Sequence, residues 1–367
     1  MSSLIVEICT IDNVFNHPNA DSLEICKVKG WEICSVKGSY KIGSKVIYFP
    51  PDCIIRPEIS DKLGISKYLS NGRVRAIKLR GFTSYGVIVP CELDLPIGSD
   101  VSEIFNITKW EPPVKATDGD AEKPNSALHT YFSMENLRNY PNAILDGEYV
   151  IFTEKLHGEN TRTGLTQVSN DEGIKVWTWA CGSNNVQRKQ YITKEDGTKE
   201  ESKFWKALTK DCKELLAMLS YSGYSAEEID NNPPVKNETG NNVVIFSERF
   251  GSGCQDLTYG MSNGKFEFRY FDITINGRYL DADDKYRLFH LHGLNSVPVL
   301  YRGPFNLDKA IEFANGNTTL GGHIKEGIVI CSAFERPCIT DKRVFSRTQF
   351  KLINPDYLTR KNGTEYH

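Results

Sequence analysis

An α+β chain led by a small β-barrel is what this sequence predicts, and three observations predict it. Five short β-branched or aromatic runs crowd into the first hundred positions. Residues 110–128 then break the composition. Beyond them strands and a few helices follow without regular alternation, which argues against a doubly wound parallel sheet.

The five runs are LEICKV, WEICSV, KVIYF, RAIKL and YGVIVP. Turn residues separate them: His17-Pro18-Asn19, Gly38-Ser39, Ile42-Gly43-Ser44, Ser70-Asn71-Gly72 and Gly81. So many short strands in so little chain suggest an OB-fold over residues 1–108. WEPPVKATDGDAEKPNSAL, rich in Pro, Asp and Ala and without period, reads as a linker over 109–130. A second domain, 131–367, carries EYVIFTEKL, KVWTWACG, NVVIFSERFG, FEFRYFDI and EGIVICSA as strands, expected in antiparallel sheets. The stripe Phe204, Leu208, Cys212, Leu215, Leu216, Leu219 predicts a helix over 203–219, stopped by Gly223. A second helix is expected over 284–292, capped by Asp283 and ended by Gly293. NNPPVKNETGN, 231–241, reads as a surface loop.

Composition excludes more than it names. The chain has 367 residues, enough for two cores, and its 40% hydrophobic and 25% charged residues are ordinary for a globular protein. No apolar run reaches the ~18 residues that span a bilayer, so no membrane partner is expected. The start shows no secretion signal, and ten cysteines without a CxxC pair speak against a disulfide framework or structural zinc. An intracellular protein, cytoplasmic or nuclear, is the expectation. The net charge is −3, and residues 1–108 hold 12 basic and 12 acidic side chains, so contact with a polyanion must come from local patches.

The chemistry concentrates in EKLHGEN, Glu154 to Asn160, where a lysine ends a strand and a glycine follows three positions on. A lysine nucleophile needs a neutral amine, and close approach of a phosphate needs backbone room, which Gly158 is expected to supply. Alone, such a lysine is more often a solvated strand end. Four further segments follow in order: VVIFSERFG with Glu248, FEFRYFDI with Phe271, KEGIVI with Glu326 and TQFKLIN with Lys351. Each residue alone reads as an ordinary strand-end carboxylate, core aromatic or surface lysine; their order is what reverses that.

Lysine, glutamate, aromatic, glutamate, lysine in this order resembles the covalent nucleotidyltransferases. Over essentially its whole length the chain resembles the ATP-dependent RNA ligases of the Deinococcus-type branch, whose OB module comes first. EKLHGEN is similar to motif I of RNA ligases, FSERFG with Gln255-Asp256-Leu257 to motif III, YFDI to motif IIIa and EGIVI to motif IV. HPNADSLE and the residues after it are similar to that branch's OB module. The resemblance implies an OB-fold ahead of an ATP-grasp-like ligase domain, ATP as AMP donor, Mg²⁺ or Mn²⁺ as the metal, and RNA as partner of a monomeric enzyme.

Residue by residue, the resemblance implies that Lys155 attacks the α-phosphate and carries AMP. Glu248 and Glu326 would organise metal-bound water, since Mg²⁺ favours hard oxygen ligands. Lys351 would stabilise charge on the α-phosphate and Phe271 would stack on adenine. Glu154 and Asn160 would meet the nucleotide beside Lys155, and Arg188 and Lys189, in WACGSNNVQRK, would contact phosphate. Arg73, Arg75, Lys78 and Arg80 recur with period two, presenting either charge for a phosphate backbone or a plain polar strand face. Three positions depart from the wider pattern: His157 stands where many relatives have aspartate, Gln349 where motif V opens with lysine, and Ser247 where glycine often precedes the motif III glutamate.

DNA ligases and capping guanylyltransferases usually place an OB domain after the catalytic core. Only 16 residues follow Lys351 here, and an OB-like module lies upstream. A non-catalytic RNA-binding protein is the rival from another class, but it would have no use for Lys155, Glu248, Glu326 and Lys351 together.

Overall fold

In the computed structural model, the amino-terminal runs form β1 (Glu7–Thr10), β2 (Leu23–Val28), β3 (Trp31–Val36), β4 (Lys45–Phe49) and β5 (Val87–Pro90). Residues 3–111, 119–169, 173–194, 196–221, 223–231, 235–236, 239–340, 343–361 and 363–364 are described. β4 pairs antiparallel with β1 and β5, and β3 with β2, which also pairs with Asn13–Asn16. Alternation along β4 buries both faces: Val46 and Tyr48 enter a core with Trp31, Ile33 and Tyr85, while Ile47 and Phe49 enter another with Val6, Ile8 and Val74. RAIKL pairs with Phe82–Tyr85 through Arg80-Gly81. Both turn residues take positive φ, +47° and +87°, the hairpin geometry that matches strand twist. Thr108–Lys109 pairs back onto Cys53–Ile54.

The rest of the chain builds two antiparallel sheets. One has the order β13 (Gln349–Ile353), β12 (Gly327–Ser332), β6 (Tyr149–Lys155), β11 (Val299–Pro304), with Glu135–Asn136 added parallel to β13. The other runs β8 (Lys175–Ser183), β7 (Glu159–Ser169), β9 (Val243–Gly251), β10 (Phe266–Ile275). α3 (Leu307–Ala314) covers the first sheet, packing Ala310 and Ala314 with Phe152, Ile328 and Leu352. α1 (Lys210–Ser220) and α2 (Ala282–Leu291) cover the second.

α1 buries Cys212, Leu215, Leu216 and Leu219 as the stripe predicts, yet begins seven residues later than expected. Thr209 is the reason: its side chain caps the helix by accepting from the Cys212 N–H, and Trp205–Ala207 forms a separate 3₁₀ turn. α2 also shifts. Asp283 lies inside its first turn and pairs with Arg302, so it is not the cap, while Gly293 closes the helix with φ +65°. Of the loop expected over 231–241, Asn231 ends a short helix from Ala226 and Val235–Lys236 pair with β8; residues 232–234 and 237–238 lie outside the described residues. So do residues 112–118 of the expected linker.

Barrel and second domain share a core. Ile353, which ends β13, and Tyr357 and Leu358 after it pack with Trp31, Ile33 and Tyr85. All ten cysteines are free thiols. Among the described residues no helix is long and apolar enough to cross a membrane.

Candidate active site

Lys155 is the last residue of β6, opposite Gly327 of β12, and the chain then crosses through Leu156–Gly158 to β7 in the other sheet. The nucleophile candidate therefore stands where the two sheets join. Glu326, one residue ahead of β12, is 1% exposed and its Oε1 lies 2.6 Å from Lys155 Nζ.

Gly158 is required for a different reason from the one the sequence suggested. It does not adopt a left-handed φ; instead a Cβ there would lie 2.2 Å from the Arg249 carbonyl oxygen and 3.0 Å from Glu248 Cγ. The crossing chain passes so close to β9 that only hydrogen fits. That approach also lets the Gly158 N–H donate to the Glu248 carboxylate.

Glu248 lies on β9 opposite Asn160 of β7. Burial pushes its carboxyl up to about 8; Lys155 opposes the rise, whereas Glu326 and Glu159 add to it. Such a group gains from a cation. Among the described residues no cluster of three or more His, Cys, Asp or Glu could cage one. Two acids facing a lysine fit a Mg²⁺ or Mn²⁺ ion that keeps waters and takes phosphate oxygens as its remaining ligands.

His157 is 2% exposed and fully engaged. Its N–H donates to the Tyr259 hydroxyl at 2.7 Å, its Nε2 meets Asp256 Oδ1 at 2.7 Å, and its Nδ1 lies 3.0 Å from the Tyr357 hydroxyl and 3.7 Å from Glu326 Oε2. This histidine backs Glu326.

Lys155, Asn160, Glu248, Phe271 and Lys351 line one cavity of about 450 Å³ between the sheets, well inside the ~300–1,000 Å³ range of small-molecule sites. Lys351, 2% exposed, faces Val329 in the next strand, and Gln349 faces Cys331. These side chains pave one wall from the Lys155 end inward. Phe271 forms the other wall because of a bulge. Phe246 pairs with Asp272 and Ser247 with Tyr270, so Phe271 is the extra residue, re-aimed beside Tyr131 at a centroid distance of 5.1 Å.

Beneath that wall runs a buried ionic network the sequence reading missed. Asp272, fully buried, meets Arg347 Nη1 at 2.7 Å, Lys285 Nζ at 3.0 Å and the Tyr131 hydroxyl at 2.7 Å. Burial alone would raise its pKa, but Arg347 and Lys285 outweigh burial and hold it below the usual carboxylate range. The Tyr131 phenol, its proton given to Asp272, accepts from Gln349 Nε2 at 2.9 Å. Asp272 belongs to YFDI, which was a usable signal; Tyr131 and Lys285 had none.

Three expected groups have other partners. Glu154 lines the cavity, but its carboxylate is bonded to the Thr318 hydroxyl and, at 3.0 and 2.8 Å, to the Thr319 N–H and hydroxyl. Arg188 is tied to Asp120 and lies over Phe204, and Lys189 is exposed; neither lines the cavity. Three of the four barrel cations bind this chain itself. Arg73 pairs with Asp52 and donates to Gly363 O at 2.9 Å, Arg75 donates to Arg360 O at 2.6 Å, and Lys78 meets Asp356 at 2.6 Å.

The RNA ligase family model matches residues 148–353, which hold every cavity residue named from β6 to β13. A model of an OB-fold domain matches residues 5–91. Among solved structures, an apo mutant of a Naegleria gruberi RNA ligase is similar with a TM-score of 0.71 at 20% identity, covering 99% of this chain and 100% of that one. A mutant with ATP and Mn gives 0.70 at 21%, covering 98% and 100%. A mutant with AMP and Mn gives 0.72 at 21%, covering 99% and 100%. At that identity the likeness establishes the fold. The curated proteins contain no match.

Proposed function

Because the chain belongs to the RNA ligase family, we propose that it joins the 3′-hydroxyl and 5′-phosphate ends of RNA with ATP, through a lysyl-adenylate on Lys155. The carrying observation is the placement of Lys155 against Glu326, beside Glu248, at the mouth of a cavity that Lys351 and Phe271 also line. The Naegleria structures with ATP and Mn or with AMP and Mn support this choice of nucleotide and metal. The OB module ahead of the ligase domain favours the Deinococcus-type branch, with a division at 1–108, 109–130 and 131–367. Ten free thiols suit an intracellular enzyme, and a monomer is our reading of its working form.

In the first step the Lys155 amine, having lost its proton, attacks the α-phosphorus; the bond to the β-phosphate oxygen breaks and pyrophosphate leaves. Lys351 holds the charge that builds on the α-phosphate, where a dry site strengthens a fixed cation. Phe271 supplies a π-face for adenine, and Asn160, opposite Glu248, meets the nucleotide. Glu154 serves through its backbone, its side chain holding the Thr318–Thr319 turn. A divalent ion held through Glu248 and Glu326 would neutralise phosphate charge. In the second step a 5′-phosphate oxygen of RNA attacks the same phosphorus and the lysine nitrogen leaves. In the third the 3′-hydroxyl attacks the activated 5′-phosphate and AMP departs.

Incubation with α-labelled ATP and Mg²⁺ or Mn²⁺ should label the protein through an acid-labile phosphoramidate. Folded Lys155→Ala should carry no label. A label that survives in that variant refutes the assignment.

A further inference from the structure

The segment after β13 belongs to two structures at once. Its Tyr357 and Leu358 sit in the barrel core with Trp31 and Ile33. The barrel also grips it through polar contacts: Lys78 on Asp356, Arg75 on the Arg360 carbonyl, Arg73 on the Gly363 carbonyl, and Asp52 accepting from the Thr364 hydroxyl at 2.7 Å. Yet the same segment points chemistry into the catalytic domain. The Tyr357 hydroxyl lies 3.0 Å from His157 Nδ1. Arg360 lies 4.4 Å over the Tyr357 ring and reaches both Asp256 oxygens at 3.4 and 3.5 Å. Leu257 and Ile324, neighbours of Asp256 and Glu326 in sequence, pack on the same barrel core.

We propose that Asn354–Arg360 is a positioning strap: anchored in the barrel, Tyr357 and Arg360 hold the His157–Asp256 pair behind Glu326 and thereby aim Lys155. The proposal rests on the lysyl-adenylate reading above. Asp256 Oδ1 meets His157 Nε2 and the Tyr357 hydroxyl meets Nδ1, so the ring is fixed at both ends. That ring stands against Glu326, which holds Lys155. Attack on phosphorus requires the amine within ~3–3.5 Å and in line, so small losses of aim cost rate. The barrel thus contributes to the first chemical step, in which RNA takes no part. Tyr357 and Arg360 act through other residues and touch no substrate.

The test uses full-length Tyr357→Phe and Arg360→Met, with Ile8→Ala as a control that trims the barrel's other core, which the strap does not enter. Single-turnover labelling with α-labelled ATP, sealing of a nicked RNA duplex already carrying 5′-AMP, and thermal melting are measured on each. Tyr357→Phe keeps the ring in the core and loses one hydrogen bond, so its labelling rate at saturating ATP should fall roughly five- to tenfold. The ATP concentration giving half the maximal rate should stay unchanged, as should sealing of the adenylated nick, which bypasses Lys155. Arg360→Met should fall similarly. Ile8→Ala should melt earlier but label, per folded molecule, within about twofold of wild type. Wild-type labelling by Tyr357→Phe and Arg360→Met, or an equal loss in Ile8→Ala, overturns the strap. A wild-type protein that takes no label overturns the lysyl-adenylate reading instead, and the two failures are told apart by that lane.

Discussion

Lys155 and Glu326, on the ends of paired strands, meet at 2.6 Å with the carboxylate almost wholly buried. An ammonium held this way has no lone pair to offer, so nucleotide and metal must draw the carboxylate away as the amine is freed. Glu326→Gln preserves the shape and removes the charge, and Glu248→Ala removes the second acid. Each should slow single-turnover labelling by about a hundredfold or more, the scale seen when a fixed electrostatic group is lost from a reacting site. Unchanged rates would make both acids structural.

Glu248 makes the metal-free protein's stability depend on pH. Its folded carboxyl titrates at about 8, against an ordinary value of 4.5. Between these values the folded chain holds a proton that the unfolded chain has released. Stability therefore falls as pH rises through that window. Glu248→Gln cannot ionise and escapes the decline. Melting curves without metal should show the variant gaining over wild type as pH moves from 5 to 8. A constant offset across that range refutes the raised value.

Gly158→Ala tests the crossing between sheets. The new methyl would sit 2.2 Å from the Arg249 carbonyl, against backbone that has no rotamer to escape into. Overpacking of this kind typically costs ~1–3 kcal/mol, and here it would also push Lys155 away from β9. Loss of melting temperature together with loss of labelling is expected. An alanine variant that matches wild type in both would show that the crossing has slack.

How much of this was legible in the sequence depends on whether a residue's meaning is local. Lys155 at the end of β6, Glu326 just ahead of β12 and Glu248 within β9 could be read because each follows or leads a β-branched run. Phe271 was found by its motif, although the bulge that aims it depends on register against Phe246 and Ser247 and leaves no mark in FEFRYFDI. α1 was placed too early because the apolar stripe ran on through Phe204 and Leu208, and the Thr209 cap was overlooked. Arg73, Arg75 and Lys78 showed their charge but not the partners after β13, which lie 278 to 290 positions away. Tyr131 and Lys285 were invisible for the same reason: a buried ion network is set by distance in space, and nothing in the spacing of its members along the chain announces it.

That network carries the last prediction. Asp272 balances Arg347 and Lys285, each 2% exposed, and holds the Tyr131 phenol beside Phe271. Asp272→Asn keeps the size and removes the charge, leaving two cations in the interior with one carboxylate fewer. Breaking a buried pair in this way typically costs ~3–5 kcal/mol, which urea melts should report as a lower midpoint with an unchanged slope. Replacing Lys285 by Met in the same chain removes one of the stranded charges, so the double variant should recover part of the loss. The neighbouring wall should loosen as well, since one amide oxygen cannot accept from Tyr131, Arg347 and Lys285 together, and ATP should be needed at higher concentration for half-maximal labelling. If Asp272→Asn melts with wild type, or if Lys285→Met recovers nothing, the two cations are not balanced by Asp272 and the aromatic wall is held by packing alone.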